Sequence, residues 1–171
     1  MPCKSGTRKN IEASKVAAQK ERELDAADPF RIYWRELVER VYGSSAGFTQ
    51  LSNVEQQYWA VGCLSGEVYN GGFEQYFHNS SGATYPSAID GLQAMGATTS
   101  LLLLQKAKQM IFGFAKVPEE SYPRRTILAA AENFSLRNRL NELDEQFWAD
   151  PDELAARSEA FAVSHRLIRH V

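Results

Sequence analysis

Large apolar side chains recur along this chain at steps of three and four, the spacing that seats one face of an α-helix on a core. No stretch alternates at a step of two with turn residues at its ends, so no strand is predicted. The first run is Ile32, Tyr33, Leu37, Val38 and Val41. It follows Asp28-Pro29, a capping acid with proline at the first helical position, and Gly43 ends it. A loop over 43–50 leads to Ser52 or Asn53, either of which can cap a second helix with the stripe Val54, Tyr58, Val61, Leu64 and Val68. Gly71-Gly72 should break that helix, because glycine reaches backbone angles closed to other residues. Phe73, Tyr76 and Phe77 resume the helical spacing briefly, and Asn79-Ser80-Ser81-Gly82 closes the segment as a polar turn.

The remaining punctuation follows the same logic. Pro86 starts a helix with Ile89, Leu92 and Met95 inward and Gly96 at its close, and Thr98 or Thr99 caps the next. That next helix carries Leu101, Leu102, Leu103, Leu104, Ala107, Met110, Ile111 and Phe114, and reads as largely buried. Pro123 opens another through Ile127, Leu128 and Ala131, followed by a helix over 136–148 with Leu136, Leu140, Leu143 and Phe147 on one face. Asp150-Pro151 repeats the cap-then-proline signal, with Glu153 at the capping-box position, before a last helix through Leu154, Phe161, Val163 and Leu167. The fold class is therefore all-α, a single-domain bundle of about seven or eight helices. Residues 1–27, rich in Lys, Glu and Ala, bury little and form a mobile N-terminal extension, leaving 28–171 as the helical domain.

Composition narrows the class without naming an activity. With 171 residues the chain can bury a real core. No apolar run approaches the ~20 residues that span a bilayer, and the polar N-terminus lacks a secretory pattern, which points to the cytoplasm. The formal net charge of −2 conceals an uneven distribution. Residues 43–105 contain no Lys or Arg, against Glu55, Glu67, Glu74 and Asp90. Residues 132–159 hold eight acids against three arginines. Acidity in two blocks disfavours nucleic acid as a direct partner and favours a basic protein.

Catalytic and metal-binding patterns are thin. No lysine follows Gly71-Gly72 as it would in a phosphate loop. The three histidines, His78, His165 and His170, and the cysteines Cys3 and Cys63 have no ligand spacing, so no cofactor or metal is expected. Cys63 and His78 form the one drawable nucleophile–base pair, but Cys63 lies beside an apolar stripe where thiols are usually inert. Arg124-Arg125 could hold an anion at a helix start, although adjacent arginines are more often solvated. Asn70, Gln75, Tyr76 and Asn79 could line a small-molecule or peptide pocket at the Gly-Gly corner. The competing reading has the asparagines capping the helices on either side.

The run from Glu67 to Gly82 resembles the signature of a bacterial family first known through a small DNA-mimic protein, much of it catalogued as a domain of unknown function. Asn70, Gly71, Gly72, Phe73, Gln75, Phe77, Asn79, Ser80 and Gly82 carry the resemblance. The block 88–97, ending in Gly96-Ala97, and Leu140-Asn-Glu-Leu-Asp-Glu-Gln-Phe147 are similar to later blocks of the family, so the likeness covers about 30–165. It implies an all-α fold in which the motif residues are mainly structural. It also implies a non-enzymatic protein whose acidic side chains imitate DNA phosphates on the DNA-binding face of a transcriptional regulator. This chain departs from that pattern in its modest net charge and basic N-terminal stretch. The acids expected to meet a basic partner are Glu142, Asp144, Glu145, Asp150, Asp152 and Glu153, with Glu67 and Glu74 a second group. A homodimer is compatible with the sequence.

Overall fold

The computed structural model describes residues 26–168, with residues 15, 19 and 20. The expected N-terminal extension otherwise lies outside the described residues, as do Cys3 and His170. Seven α-helices occur among the described residues, with no strand: α1 (Pro29–Tyr42), α2 (Asn53–His78), α3 (Tyr85–Ala94), α4 (Thr98–Phe112), α5 (Ser121–Ala131), α6 (Phe134–Trp148) and α7 (Leu154–Ser164). Gly47–Gln50 and Ser80–Thr84 are 3₁₀ turns.

The 26-residue α2 is the axis of the molecule, and α3, α5, α6 and α7 all pack on it. Local chemistry starts it cleanly. Ser52 and Glu55 form a complete capping box, in which each side chain bonds the other residue's backbone N–H. Glu55 also accepts from both Arg40 terminal nitrogens, at 2.5 and 3.2 Å, and from Tyr33 Oη at 3.1 Å. One carboxylate thus caps α2 and ties α1 to it. Trp34 stacks on Trp59 at 4.7 Å between ring centroids and completes that seam.

The anticipated break is present. Gly71 (φ −162, ψ 26) and Gly72 (φ 77, ψ −179) leave helical angles inside α2, so a kink divides it into two helical segments. Beyond the kink Phe73, Tyr76 and Phe77 are fully buried.

Several boundaries differ from the expectation, each for a local reason. Gly113 at φ 56 ends α4 one residue before Phe114, which is turned out to solvent and is 98% exposed instead of joining the stripe. Val163 is likewise exposed rather than in the core. The helix expected from residue 136 begins at Phe134, because Asn133 accepts the Leu136 N–H at 2.9 Å. The start expected at Asp150-Pro151 is not realised: α7 begins at Leu154, and Asp150 serves it from outside by accepting the Leu154 N–H at 2.9 Å. Glu153 occupies the N-cap position at φ 52 with no side-chain bond, so it completes no capping box. Neither Thr98 nor Thr99 caps α4 by its own side chain. That helix start is served from elsewhere in the chain.

Candidate functional site

A kinked helix leaves backbone groups without partners of their own, and here α6 supplies them. The Phe73 N–H, first of the second segment of α2, donates to Asp144 Oδ1 at 2.8 Å in a buried setting. Trp148 Nε1–H donates to the Val68 carbonyl on the other side of the kink, also at 2.8 Å. Asp144 and Trp148 are four residues apart and so share one face of α6. Phe147 fills the space between, edge-on to Phe73 at 5.6 Å and to Tyr69 at 5.8 Å. The carboxylate fits because residue 72 has no side chain. A Cβ there would lie 2.3 Å from Asp144 Oδ2. The Asn-Gly-Gly-Phe block and the Leu-Asp-x-x-Phe block are therefore two halves of one clasp.

Asp144 is thus corrected as a partner-binding acid. It is 5% exposed and points inward. Burial pushes its carboxyl above the ordinary aspartate range against the pull of the Phe73 N–H, and Glu74 adds to the upward push. Asp152 is corrected in the same way. It is 6% exposed and accepts the Ser100 N–H at 2.6 Å, which makes it the long-range cap that α4 lacks locally. Burial works against its charge, but the Ser100 and Thr99 donors outweigh it and hold the carboxyl below the ordinary value.

Glu67 is also committed internally. Gln75 Nε2, Asn79 Nδ2 and Ser81 Oγ donate to its carboxylate at 2.7, 2.9 and 2.8 Å. The polar residues of the signature therefore converge on one acid a few turns earlier, not on a cavity. Of the four side chains expected to line a corner pocket, Gln75 and Asn79 are consumed by Glu67, Tyr76 is fully buried and Asn70 is exposed. The Tyr76 hydroxyl makes no hydrogen bond of good geometry, and the Thr84 side chain is the polar group facing it.

Arg124 is the largest fully buried side chain among the described residues, and local sequence offers no sign of its burial. It is neither solvated nor an anion site. Its guanidinium donates to the carbonyls of Phe77 (2.9 Å), Asn79 (2.7 Å), Pro118 (2.8 Å) and Glu119 (2.5 Å). These include acceptors at the C-terminal end of α2, where a cation is favoured. Gly82 is required beside it, since a Cβ would meet Arg124 Nε at 2.8 Å. Arg125 stays exposed and reaches the His78 carbonyl at 3.1 Å.

The Cys63–His78 pair is not assembled. Burial, with the nearby Glu67 charge, pushes the Cys63 thiol up to about 12, while exposed His78 faces Asn79 Oδ1 at 3.3 Å. What remains at the surface is a smaller set of acids. Glu142 and Glu145 lie on the outer face of α6, Glu153 precedes α7 and Glu74 sits on the second segment of α2, all exposed. None of the four is in an ion pair among the described residues. Asp150, half-buried, is spent on its cap.

Among the described residues no helix is long and apolar enough to cross a membrane. Searches of curated proteins and of solved structures returned no match. The model of the DMP19-like protein family matches residues 49–165, a span that begins in the first 3₁₀ turn and takes in the kink, both halves of the clasp, Glu67 and Arg124. On that match, over two thirds of its length, the chain belongs to the DMP19-like protein family.

Proposed function

We propose that the chain is a non-enzymatic interaction protein of the cytoplasm that presents an acidic helix face to a basic partner. The partner class implied by the family resemblance is a DNA-binding transcriptional regulator, occupied as DNA would occupy it. The observation that carries this reading is the free pair Glu142 and Glu145. They are exposed, three residues apart on one helix, and unpaired by any described cation. Such a pair has its Cβ atoms about 5–6 Å apart, a separation comparable to neighbouring phosphates on a strand. Glu153 and Glu74 extend the set. A basic recognition surface is drawn to carboxylates of this kind over a distance set by salt screening.

The test must spare the acids that hold the fold. Glu142→Lys, Glu145→Lys and Glu153→Lys are combined, and Asp144 and Asp152 are left alone. The wild-type chain is expected to capture a basic protein from a lysate of its own source. Duplex DNA and added salt should release that protein. The triple variant should capture none of it while melting at the wild-type temperature. Equal capture by the folded variant removes this face from the interaction, and capture indifferent to duplex DNA removes mimicry.

A further inference from the structure

A groove of about 420 Å³ opens where the end of α1 and the turn Gly47–Gln50 face the turn Ser80–Thr84 across α2. That volume is in the range of small-molecule sites. Three aromatic side chains line it: Tyr42, which is 74% exposed, Phe48, partly buried, and Trp59, which is 4% exposed. The polarity of the lining is one-sided. Ser81 Oγ gives its hydrogen to Glu67 Oε1 at 2.8 Å, Thr84 Oγ1 to the Ser81 carbonyl at 2.8 Å and Thr49 Oγ1 to the Ala46 carbonyl at 2.7 Å. A hydroxyl whose hydrogen is spent has only lone pairs left to offer. Ser80 and the exposed Tyr42 keep uncommitted hydroxyl hydrogens at the groove's rim.

The charges point the same way. Glu119, exposed, borders the groove with no ion-pair partner among the described residues, and no Lys, Arg or His lines it. Arg124 is the neighbouring cation, but it is fully buried and turned onto four backbone carbonyls that offset its charge. Cys63, held as a neutral thiol, adds polarisable surface and no negative charge. Aromatic faces beside three hydroxyls left with lone pairs only, and a carboxylate with no described cation to balance it, suit a cation or strong donor on an apolar body and disfavour an anion.

We propose that this groove binds a small aromatic amine, its ring against Tyr42, Phe48 and Trp59 and its ammonium directed to the hydroxyl lone pairs and Glu119. The site is separate from the acidic face of α6 and does not rest on it. Titration calorimetry of the full chain with tryptamine, tryptophol and indole-3-acetate tests it, because the three share a ring and differ in the charge of the head group. Tryptamine should bind tightest, tryptophol more weakly, and indole-3-acetate at least about tenfold more weakly than tryptamine. Tyr42→Ala alters an exposed side chain, so the variant should melt as wild type while losing roughly fivefold in tryptamine affinity. Glu119→Gln should bring tryptamine and tryptophol to the same affinity. Absence of tryptamine binding, or equal binding of the acid, overturns the proposal. Tryptamine binding untouched by both substitutions also overturns it, by placing the amine elsewhere.

Discussion

The clasp between α2 and α6 makes a quantitative prediction at Asp144. Truncation to alanine removes the acceptor of the Phe73 N–H inside a site that water does not reach, since Asp144 is 5% exposed and Phe73 is fully buried. An unsatisfied buried donor costs about 1–3 kcal/mol, and the lost charge-assisted bond and packing place Asp144→Ala at roughly 3 kcal/mol. For a domain of this size that lowers the melting temperature by about 6–12 °C. Asp144→Asn keeps an oxygen for the Phe73 N–H and removes the buried charge, so it should stay within about 1 kcal/mol of wild type.

The pH dependence separates the two contributions further. The folded-state pKa of Asp144 is raised, so the folded protein holds a proton that the unfolded chain has released in the window from the ordinary value of 3.8 up to the folded value. The contribution of Asp144 is therefore most favourable at low pH and declines as pH rises through that window. Asp144→Asn, which cannot titrate, should gain on wild type across the same interval. Thermal melts by circular dichroism between acid and neutral pH measure all of this. Two outcomes refute the reasoning: Asp144→Ala melting with wild type, or Asp144→Asn falling as far as Asp144→Ala.

Three further expectations follow from neighbouring contacts. Gly72→Ala combines φ 77 with a Cβ 2.3 Å from Asp144 Oδ2 and should cost about 3 kcal/mol or more, read as the loss of a cooperative melt at moderate denaturant. Arg124→Lys offers one ammonium where a planar fork serves four carbonyls, and should cost about 3 kcal/mol by chemical denaturation; a variant as stable as wild type would falsify the buried-fork account. The Arg40 hydrogen bonds lead the interactions that hold Glu55 at about 2 in the folded protein, so its stabilisation is complete above the ordinary value of 4.5 and is lost as pH falls toward 2. Glu55→Gln should accordingly flatten the acid limb of the stability curve, and an unchanged limb would assign acid unfolding to other groups.

These contacts also mark how far the sequence alone reaches. The all-α class, a helix cap at Ser52 or Asn53, the break at Gly71-Gly72 and the buried stripes of α2 and α6 are all legible in it. Each depends on residues within one or two turns of one another. Asp144 and Asp152 were not legible, although both lie in an acidic run that reads as solvated surface. Asp144 meets its donor 71 positions earlier in the chain and Asp152 meets its own 52 positions earlier. Charge spacing shows where acids are, whereas the facing helix start decides whether a carboxylate meets water or an orphan N–H. Arg124 is the same case with opposite sign, since the Phe77 and Asn79 carbonyls, 47 and 45 positions away, reach it only when α5 docks against the end of α2. Tertiary structure thus converted Val68–Gly82 from a glycine-rich stretch with the look of a ligand loop into the receiving half of a clasp. Of the eight acids expected to meet a partner, it left Glu142, Glu145, Glu153 and Glu74 exposed and uncommitted. The physical reason is that helices form from local periodicity, but their unsatisfied ends and kinks must be completed by whatever side chain the packing brings to them.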